Sequence, residues 1–148
     1  MPVNTKDCSK KFNHGAVKYE IAIDIFRAKC MWINGPFRGG KHDITVFRED
    51  GLKAKMLSTA PGKIANGDRG YVGEAGIMAT PNANDHTALA KFKSRVRCRH
   101  ETFNGRLKFF SCLSVTFRHG LDKHKLALEA VCVPVQYQMD NGSEIFAA

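Results

Sequence analysis

The sequence predicts an α/β fold organised as one domain over residues 1–148, and three observations carry that prediction. Val17 to Phe26 sets Tyr19, Ile21, Ile23 and Ile25 against Lys18, Glu20, Ala22 and Asp24, the period of two that marks a half-buried strand. Asp85 to Phe110 places Phe92, Val96, Phe103, Leu107 and Phe110 in one stripe at about 100° per residue, as a long amphipathic helix does. The chain has 148 residues and no internal repeat, low-complexity tract or Pro/Ser-rich linker, so it has the length of one core.

The elements follow in order. After Phe26 a short break leads to Cys30–Gly35, whose end at Asn34-Gly35-Pro36 predicts an antiparallel pair with the first strand. His42 to Asp50 is a short helix, with Asp43 as N-cap, Ile44 and Phe47 on one face and Gly51 as stop. Gly62 to Tyr71 reads as a strand entering a glycine-flanked turn, and Gly76 to Pro81 as a strand closed by proline. The long helix comes next. A final helix over Lys123 to Met139 stops at Asn141-Gly142 and should kink at Pro134, which lacks an N–H donor. Strand, strand, helix, strand, strand, helix, helix is close to an RNase H-like core, a mixed sheet flanked by helices.

Charge bears on function more than composition does. Lys and Arg number 23 against 14 Asp and Glu, giving a formal +9 and a pI near 9.5, an excess that favours polyanions. Hydrophobic residues at 43% and charged residues at 25% argue against disorder. The longest apolar run, near "AVCVPV", is far short of the roughly 20 residues a bilayer span needs. "MPVNTKDCSKKF" has no apolar core of the secretory kind, which predicts a protein that is not exported. Cys8, Cys30, Cys98, Cys112 and Cys132 are odd in number and form no C-x-x-C, so reduced thiols are expected rather than a disulfide framework. Cys98, Cys112, His119 and His124 match no ordinary zinc spacing.

The candidates for chemistry are carboxylates beside turns or cations: Asp24, Asp43, Asp68 and Glu101. Hard divalent cations need several converging oxygen ligands to hold the attacking and leaving oxygens of a phosphodiester. Asp68 is best placed, at a strand end before "RGY", where α/β sites lie. Each has a plainer reading. Asp43 is a helix cap, Asp24 the outward member of an alternating strand. Glu101 lies about 160° around its helix from Phe103, as a solvated carboxylate with Arg97 at i−4.

Four segments, "GGKHDITVFR", "NGDRGY", "RCRHETFNGRLK" and "FRHGLDKHKLALEAVCVPVQYQMDNGSEIF", resemble in that order the DDE superfamily nuclease domain of eukaryotic Harbinger-type transposases. The resemblance covers about Lys10 to Phe146. It implies an RNase H-like fold and three acids that bind magnesium or manganese to cut and join DNA. The second acid, in a G-D-x-G-Y turn, corresponds to Asp68. The third, in an R-x-x-x-E helix start before a G-R-L-K stretch, corresponds to Glu101. The first sits on an upstream strand in an Asp-Gly-Thr-like motif, which Met1 to Ser9 does not contain, and the role is not transferred to Asp7. The expected sheet therefore lacks its first strand, a truncation at the amino end that leaves two inner edges open.

Two functions follow. One is a metal-dependent DNA endonuclease in which Asp68 and Glu101 ligate the ion while Lys93, Arg95, Arg97, Arg99, Arg106 and Lys108 hold the DNA backbone without reading bases. The other is a catalytically incomplete remnant or domesticated copy that binds DNA or protein and cuts nothing. The resemblance leaves target choice to a separate DNA-binding partner and places the protein in the nucleus or cytoplasm. Nothing in the sequence sets an oligomeric state.

Overall fold

The computed structural model describes residues 16–49 and 51–145, so Asp7 and the rest of the amino-terminal segment lie outside the described residues. β1 (Val17–Ile23) and β2 (Cys30–Arg38) pair antiparallel. β1 ends before the expected Phe26 because Asp24 turns the chain. Its carboxylate accepts the Phe26 and Arg27 N–H groups, each at 2.8 Å. Asp24 is therefore a turn former and not an outward strand residue. β2 continues past Asn34-Gly35-Pro36. The pairing steps from Glu20 with Asn34 to Lys18 with Phe37, so Gly35 and Pro36 both face Tyr19 in a bulge. A bulge is where a strand tolerates a residue without an N–H. Gly35 has φ of 132°, and a Cβ there would meet Tyr19 Cδ1 at 2.7 Å.

α1 (Asp43–Glu49) buries Val46 and Phe47. Asp43 is its first residue and does not cap it: the Thr45 and Val46 N–H groups bond the His42 carbonyl, each at 3.0 Å. The Asp43 carboxylate instead accepts Lys18 Nζ at 2.8 Å. α2 (Leu52–Thr59), which the apolar pattern does not predict, buries no residue. Its Leu, Lys, Ala and Met favour a helix by propensity alone.

β3 (Ala65–Asn66) and β4 (Met78–Ala79) pair in parallel. The flanking bonds from Ala65 N–H to Ile77 O at 2.8 Å and Gly67 N–H to Ala79 O at 3.0 Å extend the ladder slightly. Both are shorter than the expected Gly62–Tyr71 and Gly76–Pro81, because glycines at 62, 67 and 76 and the turn at Asp68 interrupt the extended backbone. Among the described residues β1–β2 and β3–β4 are two separate two-stranded sheets. The expected single mixed sheet is thus seen as two pieces.

α3 (Thr87–Lys108), α4 (Ser111–Ser114) and α5 (Leu121–Asp140) complete the fold. Val96, Phe103 and Leu107 of the predicted stripe are buried, whereas Phe92 is exposed and Lys93 buried in its stead. Lys93 can be buried because its ammonium is paired: Nζ meets the Asp85 carboxylate at 2.8 Å and the Thr80 carbonyl at 2.9 Å. α5 runs through Pro134 as one helix, with the proline on its exposed side. There the carbonyl that loses its intrahelical partner can bond water.

The core lies between α3, α5 and one face of the hairpin. Phe103 and Leu107 pack with Leu128, Val131, Cys132, Val135 and Met139, and Tyr19, Ile21, Ile23 and Ile33 close over them. The other face is also covered. Trp32 Nε1 donates to Glu20 at 3.0 Å, making Glu20 one of the buried charged residues, and Lys18 anchors α1 through Asp43. Helices on both sides of small sheets make this a mixed α/β structure. No helix among the described residues is long and apolar enough to cross a membrane.

Candidate functional site

Asp68 follows β3 by two residues and caps a single 3-10 turn, Arg69–Tyr71, its Oδ1 accepting the Gly70 N–H at 2.7 Å. That bond aims the carboxylate across the turn and leaves it exposed. Tyr71 anchors the turn from below, its ring edge-to-face with Phe47 of α1 at 6.1 Å between centroids. A Cβ on Gly70 would lie 2.8 Å from Asp43 Oδ2 and 2.9 Å from Asp68 Oδ1. The two carboxylates therefore converge on Gly70 from opposite elements, a juxtaposition the helix-cap reading of Asp43 missed. Burial, then the negative charges of Asp43, Glu20 and Asp68, raise the Tyr71 phenol above its ordinary range. Tyr71 is thus a neutral hydroxyl beside the acidic turn.

Glu101 is exposed on α3. Its neighbour His100 fixes the helix to β1, Nε2 donating to the Ile21 carbonyl at 3.0 Å while Nδ1 accepts from Asn104 Nδ2 at 3.2 Å. Since a carbonyl can only accept, this network protonates Nε2. Further back, Asn66 Nδ2 donates to the Lys93 carbonyl at 3.2 Å. α3 is thereby bonded to both sheets, to β1 near Glu101 and to β3 just before Asp68. About 12 Å of helix rise separates Lys93 from Glu101. Among the described residues no ion pair joins Glu101 to Arg97 and no hydrogen bond joins it to Asp68, so the two predicted acids occupy one frame without touching.

The predicted cations divide by what they contact. Lys93 is bound to Asp85 and Thr80. Arg99 is buried and its guanidinium donates to the Ile25 carbonyl. Arg106 donates to the Ser143 carbonyl and, at 3.4 Å, to that of Glu144, clasping the segment after α5. Arg97 is half-buried with its Nε unbonded among the described residues. Arg95 and Lys108 are exposed. Charge is visible in sequence; a carbonyl partner on a distant element is not.

Asp68 and Glu101 are thus exposed carboxylates on an α/β frame, the second on a helix that carries several cations. The comparison with known families is specific: the chain belongs to the DDE superfamily endonucleases, whose family matches residues 5–135. No curated protein and no solved structure matches the chain.

Endonucleases of this superfamily generally use divalent metals. The residues present supply only part of such a centre. Asp43 and Asp68 bring oxygens together at Gly70, but Lys18 already neutralises Asp43. No group of three or more His, Cys, Asp or Glu among the described residues could hold an ion. By themselves they do not fit a two-metal site, which needs more oxygen ligands than one turn presents.

Proposed function

We propose that the chain is the DNA-cleaving domain of a Harbinger-type transposase, with Asp68 and Glu101 as two of its acids and the remaining ligand supplied from outside the described residues. The observation that carries this reading is the capped, exposed Asp68 at the end of β3, in the "NGDRGY" turn of a chain that belongs to the DDE endonucleases. Magnesium or manganese suits an all-oxygen donor set. The two separate sheets support a further strand, outside the described residues, between β1 and β3, where an RNase H-like sheet carries its first acid. Arg95 and Lys108, both exposed, and half-buried Arg97 are the α3 cations that would hold the DNA backbone, target choice falling to a separate DNA-binding partner in the nucleus.

The absence of a three-ligand group among the described residues favours a second reading, a domesticated copy that binds DNA without cutting it. Titration calorimetry separates the assignments. Asp68→Ala and Glu101→Ala should each weaken magnesium or manganese binding, while Asp24→Ala leaves it unchanged. Equal affinity in all four proteins would remove Asp68 and Glu101 from the site.

A further inference from the structure

Away from the acidic turn, two thiols meet where β2 packs on α5. Cys30 opens β2, and its backbone N–H donates to Gln136 Oε1 at 2.9 Å, one helical turn beyond Cys132. This bond fastens the start of the strand beside the Cys132 side chain. Cys132 is buried in the core cluster, Cys30 packs against it, and both are free cysteines. Together with Ile33, Val133 and Tyr137 they line a cavity of about 430 Å³ that gives small molecules access to the pair. The neighbouring Cys132 side chain lowers the Cys30 thiol below its ordinary range, while Cys30 and burial raise that of Cys132. The pair is also asymmetric in exposure: Cys30 is half-buried and the more accessible to an entering oxidant, whereas Cys132 is buried.

We propose that Cys30 and Cys132 form a redox-responsive pair, which hydrogen peroxide entering this cavity converts into a disulfide joining β2 to α5. The Cys30 thiolate attacks one peroxide oxygen; the O–O bond breaks, and the departing hydroxide takes the Cys30 proton and leaves as water. The resulting sulfenic acid is attacked by the Cys132 sulfur. Its S–O bond breaks, and hydroxide leaves with the Cys132 proton as a second water. Two thiols lose two electrons and two protons, and one peroxide becomes two waters. A dithiol reductant reverses the bond by exchange. Tying residue 30 to residue 132 encloses most of the chain, so the oxidised form has a restricted unfolded state and a locked β2–α5 contact.

This inference is independent of the nuclease reading, because neither thiol belongs to the acidic turn. The test treats the reduced protein with one equivalent of hydrogen peroxide, digests it without reductant and maps the peptides by mass spectrometry. The expected result is a Cys30–Cys132 cross-link with loss of two hydrogens, a Tm rise of roughly 5–15 °C and return to the starting Tm with dithiothreitol. All three should persist in Cys8→Ser/Cys98→Ser/Cys112→Ser. A dominant cross-link through Cys8, Cys98 or Cys112, unreacted thiols at 30 and 132, or Cys30 carried to the sulfinic acid without cross-linking would each overturn the proposal.

Discussion

Gly70 has no Cβ, and the acidic turn depends on that absence, since the carboxylates of Asp43 and Asp68 occupy the space a methyl group would need. Gly70→Ala should push the two carboxylates apart, and because the atoms that must move are the ends of side chains the loss read as a lower urea midpoint should stay below about 1 kcal/mol. Asp24 serves local structure instead. Asp24→Ala removes the acceptor of two N–H bonds and should cost about 1 kcal/mol in the same urea experiment, without the loss of metal affinity expected at Asp68. Asp68 was legible in the sequence because a glycine-flanked turn after a strand announces itself locally. Asp43 was legible only as a helix-start acid, because its convergence with Asp68 depends on how α1 packs against the turn. Glu101 was visible as a carboxylate among cations, and the structure leaves it exposed as its periodicity implied.

α3 performs two tasks that residue type does not distinguish. Lys93, Arg99 and Arg106 fasten the helix to the β4–α3 loop, the β1–β2 turn and the segment after α5, whereas Arg95 and Lys108 face solvent. Lys108→Ala should therefore flatten the logarithmic salt dependence of DNA binding by about one unit for the lost phosphate contact, with Tm nearly unchanged. Lys93→Met should do the reverse, lowering Tm through the unpaired Asp85 carboxylate and leaving the salt slope intact. Fluorescence anisotropy over a salt series, beside thermal melts, checks both. Phe103, fully buried between α3 and α5, should cost about 3–5 kcal/mol when replaced by Ala. The long helices and the hairpin were readable because each carries a sustained period. β3 and β4 were readable only as regions, since two paired residues are too few to show one.

At the scale of the molecule, three carboxylates and one imidazole among the described residues set the response to acid. The Arg27 N–H, above all, holds Asp24 below its ordinary range; Lys53 and then Arg48 do so for Glu74, and Lys93 for Asp85. A depressed folded-state value means the stabilisation is complete above the unfolded-state values, near 4, and is lost as pH falls through the folded ones. Urea midpoints should thus begin to fall below about pH 6.5, where the burial of His124 opposes its protonation, and drop more steeply below about pH 4. The largest feature of the fold is the division into an antiparallel and a parallel sheet, bridged by α3 through His100 and Asn66. Sequence patterning gave the order of those strands. It carries no information on the ladder between sheets, because that depends on a strand these elements do not contain. The proposed nuclease makes one demand here: a strand between β1 and β3 must complete the sheet and deliver a third carboxylate toward Asp68 and Glu101. Plasmid nicking in magnesium or manganese tests this most directly, using the 148-residue chain, the same chain extended upstream by an aspartate-bearing strand, and the extended chain carrying Asp68→Asn or Glu101→Gln. Robust cutting by the extended chain and none by its folded Asp68→Asn and Glu101→Gln variants is the predicted result. Cutting that survives both substitutions in the extended chain would contradict the assignment of Asp68 and Glu101 as its acids.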